Sequence, residues 1–120
     1  MPKYMLLLYA PEVDEAEQAD REAELPVWNE VIESLRDAGQ FVSTGRLHPA
    51  ARATTVRARG EDAELTDGPF AVTKEVLGGY LLLDCADLDE ALKAAAQLPI
   101  VRYGSVEVRP LMDMPSMPSS

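Results

Sequence analysis

Asp67-Gly68-Pro69-Phe70-Ala71-Val72-Thr73-Lys74-Glu75-Val76-Leu77-Gly78-Gly79-Tyr80-Leu81-Leu82-Leu83-Asp84 joins a turn, a charged pair, a double glycine and an apolar run in one stretch. Asp-Gly-Pro is turn chemistry: a short acceptor side chain, a residue that tolerates positive φ, and one whose φ is set by its ring. Tyr80 to Cys85 is too short for a helix and reads as a strand apolar on both faces. Gly78-Gly79 interrupts that strand before Tyr80. The pair is read as a bulge or a close backbone approach at an interface, in preference to a phosphate cradle.

Working outward, Tyr4 to Tyr9 is a second short apolar strand, ended by Ala10-Pro11. Residues 12–24 are acidic and read as a loop or a helical turn or two. Trp28, Val31, Ile32, Leu35 and Ala38 repeat at helical spacing, with Pro26 in the first turn and Gly39 as the stop. Phe41 to Thr44 and Thr54 to Arg59 read as strands, and Ala63 to Thr66 pairs back across a turn at Gly60-Glu61-Asp62. Asp87 and Glu90 have capping-box spacing before a helix striped by Leu88, Ala91, Leu92, Ala95 and Leu98. Ser105 to Pro110 alternates as a last strand.

This order is α+β: a ferredoxin-like βαββαβ chain with an inserted hairpin. Right-handed crossovers put both helices on one face of the sheet. Two strands that are apolar on both sides then leave the other face uncovered, at about 25 cal/mol per Å² of apolar surface. The reading that removes this cost is a homodimer with sheets face to face, a dimeric α+β barrel. One domain is expected over 1–110, with 111–120, rich in Met, Pro and Ser, as a flexible tail.

Composition sets further limits. Of 120 residues, 47% are hydrophobic, which suits a packed globule. Twenty-one acids against 11 bases give a net charge of −10, which disfavours nucleic acid and anionic membrane as partners. Arg46, Arg52, Arg57 and Arg59 lie close in sequence and are read as solvated positions before a basic patch. No leader or membrane-length apolar run is present, so a cytoplasmic setting is expected. Cys85, the one cysteine, ends an apolar run and is read as a small buried hydrophobe. With one histidine and no paired cysteine a metal site has little support. No strand–GxxxxGK–helix pattern occurs, and no cofactor is called for.

Asp67-Gly68-Pro69-Phe70, Lys74-Glu75 and Leu77-Gly78-Gly79-Tyr80 resemble the signature of the DGPF-domain, YCII-related proteins. Tyr4-Met5-Leu6-Leu7-Leu8-Tyr9, Ala53-Thr54-Thr55-Val56-Arg57, Asp87-Leu88-Asp89-Glu90-Ala91 and Gly104 to Pro110 are similar to other family segments. The resemblance covers about residues 3–110. It implies a dimeric α+β barrel and no settled activity; the link of some relatives to transcription initiation is association alone. Two departures matter. Val72 stands where many relatives carry Glu. The helix start Pro26-Val27-Trp28-Asn29 lacks the histidine that the broader group pairs with an aspartate, so that chemistry is not carried over.

The candidates for chemistry are therefore few. Asp67 is read first as a turn residue, and otherwise as a base or orienting group at a cleft mouth. His48 is read first as a solvated loop residue, and otherwise as an acid–base group facing the same cleft. Arg46, Lys74 and Tyr80 are candidate ligand contacts: Arg46 through its charge beside His48, Lys74 if it points inward to an anionic group, and Tyr80 through its hydroxyl. Two functions are carried: a small dimeric protein that binds a small molecule near the Asp67 turn, with acid–base catalysis as an option, and a non-catalytic regulatory or interaction module.

Overall fold

The computed structural model describes residues 2–112. Of the tail expected over 111–120, residues 113–120 lie outside the described residues. The chain is α+β. Strand β1 (Lys3–Ala10) leads through helices α1 (Glu15–Glu22) and α2 (Leu25–Asp37) to β2 (Phe41–Arg46). Strands β3 (Thr54–Arg59) and β4 (Asp62–Asp67) form a separate ribbon, and β5 (Val76–Asp84), α3 (Leu88–Ala96) and β6 (Ser105–Pro110) complete the body. The main sheet is antiparallel in the order β2-β5-β1-β6.

Local chemistry explains the helix ends. The Asp14 carboxylate accepts from the Glu17 N–H at 2.9 Å and starts α1. Pro26 falls in the first turn of α2, where its missing N–H costs nothing, so the chain breaks before it instead of kinking at it. Past α2, Gly39 takes φ +74°, its N–H reaches Arg36 O, and the Gln40 N–H reaches Leu35 O at 2.9 Å. That is a Schellman stop, which favours glycine. Asp87 accepts from Glu90 N–H at 2.9 Å as the capping box requires, but the Glu90 carboxylate turns instead to the Gln40 side-chain amide.

One face of the sheet makes the core. Tyr4, Leu6 and Leu8 on β1 and Leu81 and Leu83 on β5 are buried with Val31 and Leu35 of α2 and Ala91, Ala94 and Ala95 of α3. Of the stripe expected here, Ala91, Ala95 and Leu98 are buried, while Leu88 and Leu92 are corrected: they are 46% and 45% exposed. Alanine's small side chain lets that helix lie close to the leucines beneath it. The other face carries Met5, Leu7, Tyr80 and Leu82, all half-buried, beside exposed Glu107 and Arg109. In a single chain, then, β1 and β5 are fully buried only at alternate residues, because α2 and α3 cover one side.

The β3–β4 ribbon turns through Gly60 and Glu61, with Arg59 opposite Asp62. It stands off the body with Val56 and Leu65, directly paired, 63% and 69% exposed. The described chain is accordingly broad and flat, 47 × 47 × 22 Å. Its radius of gyration of 16.6 Å exceeds the about 14 Å of a compact domain this long.

Cys85 is buried at the end of β5. Burial raises its thiol pKa, and the carboxylates of Glu90, Asp84 and Asp87 raise it further. The native thiol therefore keeps its proton where the unfolded one, at about 8.5, begins to lose it. The unfolded state then binds fewer protons, and stability falls as pH rises above that value by at most about 1.4 kcal/mol per pH unit. Urea unfolding between pH 8 and 10 (about the window the thiol sets) should show this fall, and Cys85→Ala should flatten it.

Candidate functional site

Between α1, α2 and the Gly78 end of the sheet lies a cleft of about 1110 Å³. Leu8, Trp28, Ile32, Leu77 and Ile100 line it, with Arg46 and His48 from β2 and the segment after it, and Glu12, Asp14, Glu15 and Glu22 from α1 and the segment before it. The α2 stripe thus serves two purposes: Val31 and Leu35 are buried in the core, while Trp28 and Ile32 are half-buried in the cleft wall.

Two irregularities in neighbouring strands shape this space. On β5 the register against β1 slips at Gly78: Leu8 opposes Gly79, and Tyr9 opposes Leu77. The strand therefore runs on through the glycine pair instead of ending there, with Gly78 as the extra residue. On β2 the register slips at Val42: Phe41 opposes Leu83, but Ser43 opposes Leu82. Because side chains alternate, that one-residue slip reverses the rest of the strand. It turns Thr44 and Arg46 to the helix side, with Arg46 opposite Gly79.

Gly79 makes this arrangement fit. A Cβ there would come within 2.7 Å of Gly45 O and 3.5 Å of Arg46 Cα. The Leu47 N–H donates to Gly78 O at 2.9 Å and extends the β2–β5 pairing past Arg46. Beyond His48, the Ala50 N–H donates to the Glu12 carboxylate at 2.8 Å. His48 is thus held on a short segment anchored at both ends. At the α1 side, the Arg21 guanidinium donates to Pro11 O at 2.8 Å and lies 4.3 Å from the Tyr103 ring centroid.

Of the five residues singled out from the sequence, Arg46 and His48 line the cleft, and Asp67, Lys74 and Tyr80 are outside its lining. Tyr80 projects from the opposite face, its ring over Gly45, where an added Cβ would meet it at 2.8 Å. Asp67 ends β4 opposite Thr54, on the ribbon. The turn after it is closed by Gly68, with φ +94°, whose N–H reaches Ala53 O at 2.7 Å and whose carbonyl accepts from the Thr55 hydroxyl. The Asp67 carboxylate takes no hydrogen bond among the described residues. Lys74 is exposed ahead of β5, so strand alternation does not orient it, while its neighbour Glu75 accepts from the Ser105 hydroxyl at 2.7 Å. Among the described residues no group of three or more His, Cys, Asp and Glu could hold a metal ion, and no helix is long and apolar enough to cross a membrane.

These features define a small α+β domain with an antiparallel sheet covered by helices on one side and a cleft at its glycine end. The chain belongs to the YCII-related domain family, whose model matches residues 2–115. It is also similar to an uncharacterized protein of Rhizobium meliloti (strain 1021), 47% identical over 77 residues. That match covers 62% of each chain, so the likeness spans under two thirds of the relative's length.

The two glycines should tolerate substitution differently. At Gly78 an added Cβ meets nothing closer than Leu8 O at 3.9 Å, an ordinary contact. Gly79→Ala should cost about 1–3 kcal/mol through forced separation of β2 from β5, and Gly78→Ala clearly less. Urea denaturation of the two variants checks the order.

Proposed function

We propose that this chain is a small-molecule-binding protein whose ligand occupies the cleft over the glycine pair. Arg46 and His48 are its polar contacts, and His48 is the acid–base group of any reaction there. The observation that carries this reading is the register slip at Val42, which turns Arg46 into a cleft walled by Trp28 and Ile32. Bulges of this kind commonly re-aim a side chain beside a functional site. The partnership of His48 with Asp67 forms no part of the proposal, since Asp67 lies on the ribbon. A thermal-shift screen against mixed small metabolites tests it: ligands should raise the melting temperature of the chain and not of an Ile32→Trp variant that fills the cleft. Shifts that survive the filling, or none from any compound, would count against a cleft ligand.

We further propose the ferredoxin-like topology and a dimeric α+β barrel, two copies packing their open sheet faces together. Support comes from the strand order, from two helices on one face, and from Met5, Leu7 and Leu82 on the other. Light scattering should give twice the chain mass, and Leu82→Lys should return it to that of one chain. The non-catalytic interaction module keeps one observation in its favour: the ribbon and the segment after it expose Val56, Leu65, Phe70 and Val72. An isolated two-stranded ribbon is marginal in water and gains from a partner.

A further inference from the structure

We infer that the cleft takes an apolar monocarboxylate, its carboxylate on Arg46 and its body against Trp28 and Ile32. The inference rests on the reading of the cleft as a ligand site and adds the ligand's chemistry.

Among the described residues the side chains of Arg46, Arg52 and Arg109 have no ion-pair or hydrogen-bond partner, and of these three only Arg46 lines the cleft. Arg21 is engaged by Pro11 O and Tyr103, Arg36 by Glu33, Arg59 by Glu64 and Arg102 by Glu24. Arg46 has no ion-pair or hydrogen-bond partner among the described residues, in a chain with 21 acids. Arg46 is exposed, but its backbone is held in place. The Val42 slip aims it, the missing side chain of Gly79 leaves room opposite it, and the Leu47 N–H bond to Gly78 O fixes the backbone beyond it. A planar guanidinium with free donors matches a carboxylate, which it binds through two parallel hydrogen bonds. His48, also in the lining, offers a further donor.

The remaining walls narrow the choice. Leu8, Trp28, Ile32 and Ile100 favour an aliphatic or aromatic body over a sugar. Glu12, Asp14, Glu15 and Glu22 in the lining oppose a second negative charge. The Leu47 N–H, which would otherwise be free for a phosphate oxygen, is already bonded. A dianionic phosphoryl group is therefore disfavoured.

Titration calorimetry on the full chain with four probes of one shape tests this: 3-phenylpropionate, its amide, 3-phenylpropylamine and 2-phenylethylphosphonate. The carboxylate should bind tightest. Arg46→Gln should weaken it about ten-fold or more and leave the amide unchanged. Trp28→Ala should weaken acid and amide alike. Circular dichroism confirms that both variants are folded. If amide, amine or phosphonate binds as tightly as the carboxylate, or if Arg46→Gln leaves carboxylate affinity unaltered, the ligand class is wrong while the cleft reading stands. If no probe binds the unmodified chain, and the metabolite screen is also blank, both fall.

Discussion

The backbone of β2 lies so close to Gly79 that a single added carbon would strike Gly45 O. Fold and cleft both depend on that approach. It lets the edge strand β2 stay hydrogen-bonded to β5 as far as Leu47, and it leaves the space into which Arg46 projects. A larger residue would push β2 outward, loosen the edge of the sheet and carry Arg46 and His48 with it. Glycine loses more freedom on folding than other residues, so its use inside a strand implies a compensating gain. Here the gain is close strand pairing and an open cleft from one position.

The second constraint is that the sheet has one covered side. Buried leucines from β1 and β5 meet α2 and the alanine face of α3, and Val106 and Val108 of β6 pack at the margin. Because α3 presents alanines, it sits close above the sheet and turns Leu88 and Leu92 to the surface. The uncovered face is neither a solvated polar surface nor a closed core. Its centre is Met5, Leu7 and Leu82, and its border includes Glu107, Arg109 and the Lys3–Asp84 pair at 3.4 Å. That face therefore has an apolar centre within a charged border.

Much of the fold was legible from local signals, each with a short physical range. Apolar runs, the Pro26 start, the Gly39 stop and the Asp87 cap act within a turn or two of chain, and they placed β1, α2, α3 and β6. The hairpin ribbon followed from alternation around Gly60. What escaped was which of two apolar faces turns inward. Leu88, Ala91, Leu92 and Ala95 form one hydrophobic stripe in sequence, and only the sheet beneath chose the alanines. Likewise Trp28 and Ile32 belong to the same stripe as Val31 and Leu35, yet they border the cleft.

The candidate site divides in the same way. Residue type and charge were enough to single out Arg46 and His48, and the glycine pair announced a bulge or a close contact. Sequence alone thus determined an α+β chain, its main strands and helices, and a short list of reactive side chains, because those depend on neighbours along the chain. Tertiary structure decided which of them meet. The slip at Val42 has no signature of its own in the residues around it, yet it turns Arg46 toward the helices. Asp67 stays on the ribbon, outside the cleft that His48 lines, and strand alternation puts Tyr80 on the opposite face. Those outcomes depend on pairing between strands far apart in sequence, where one residue of register exchanges the two faces of a sheet.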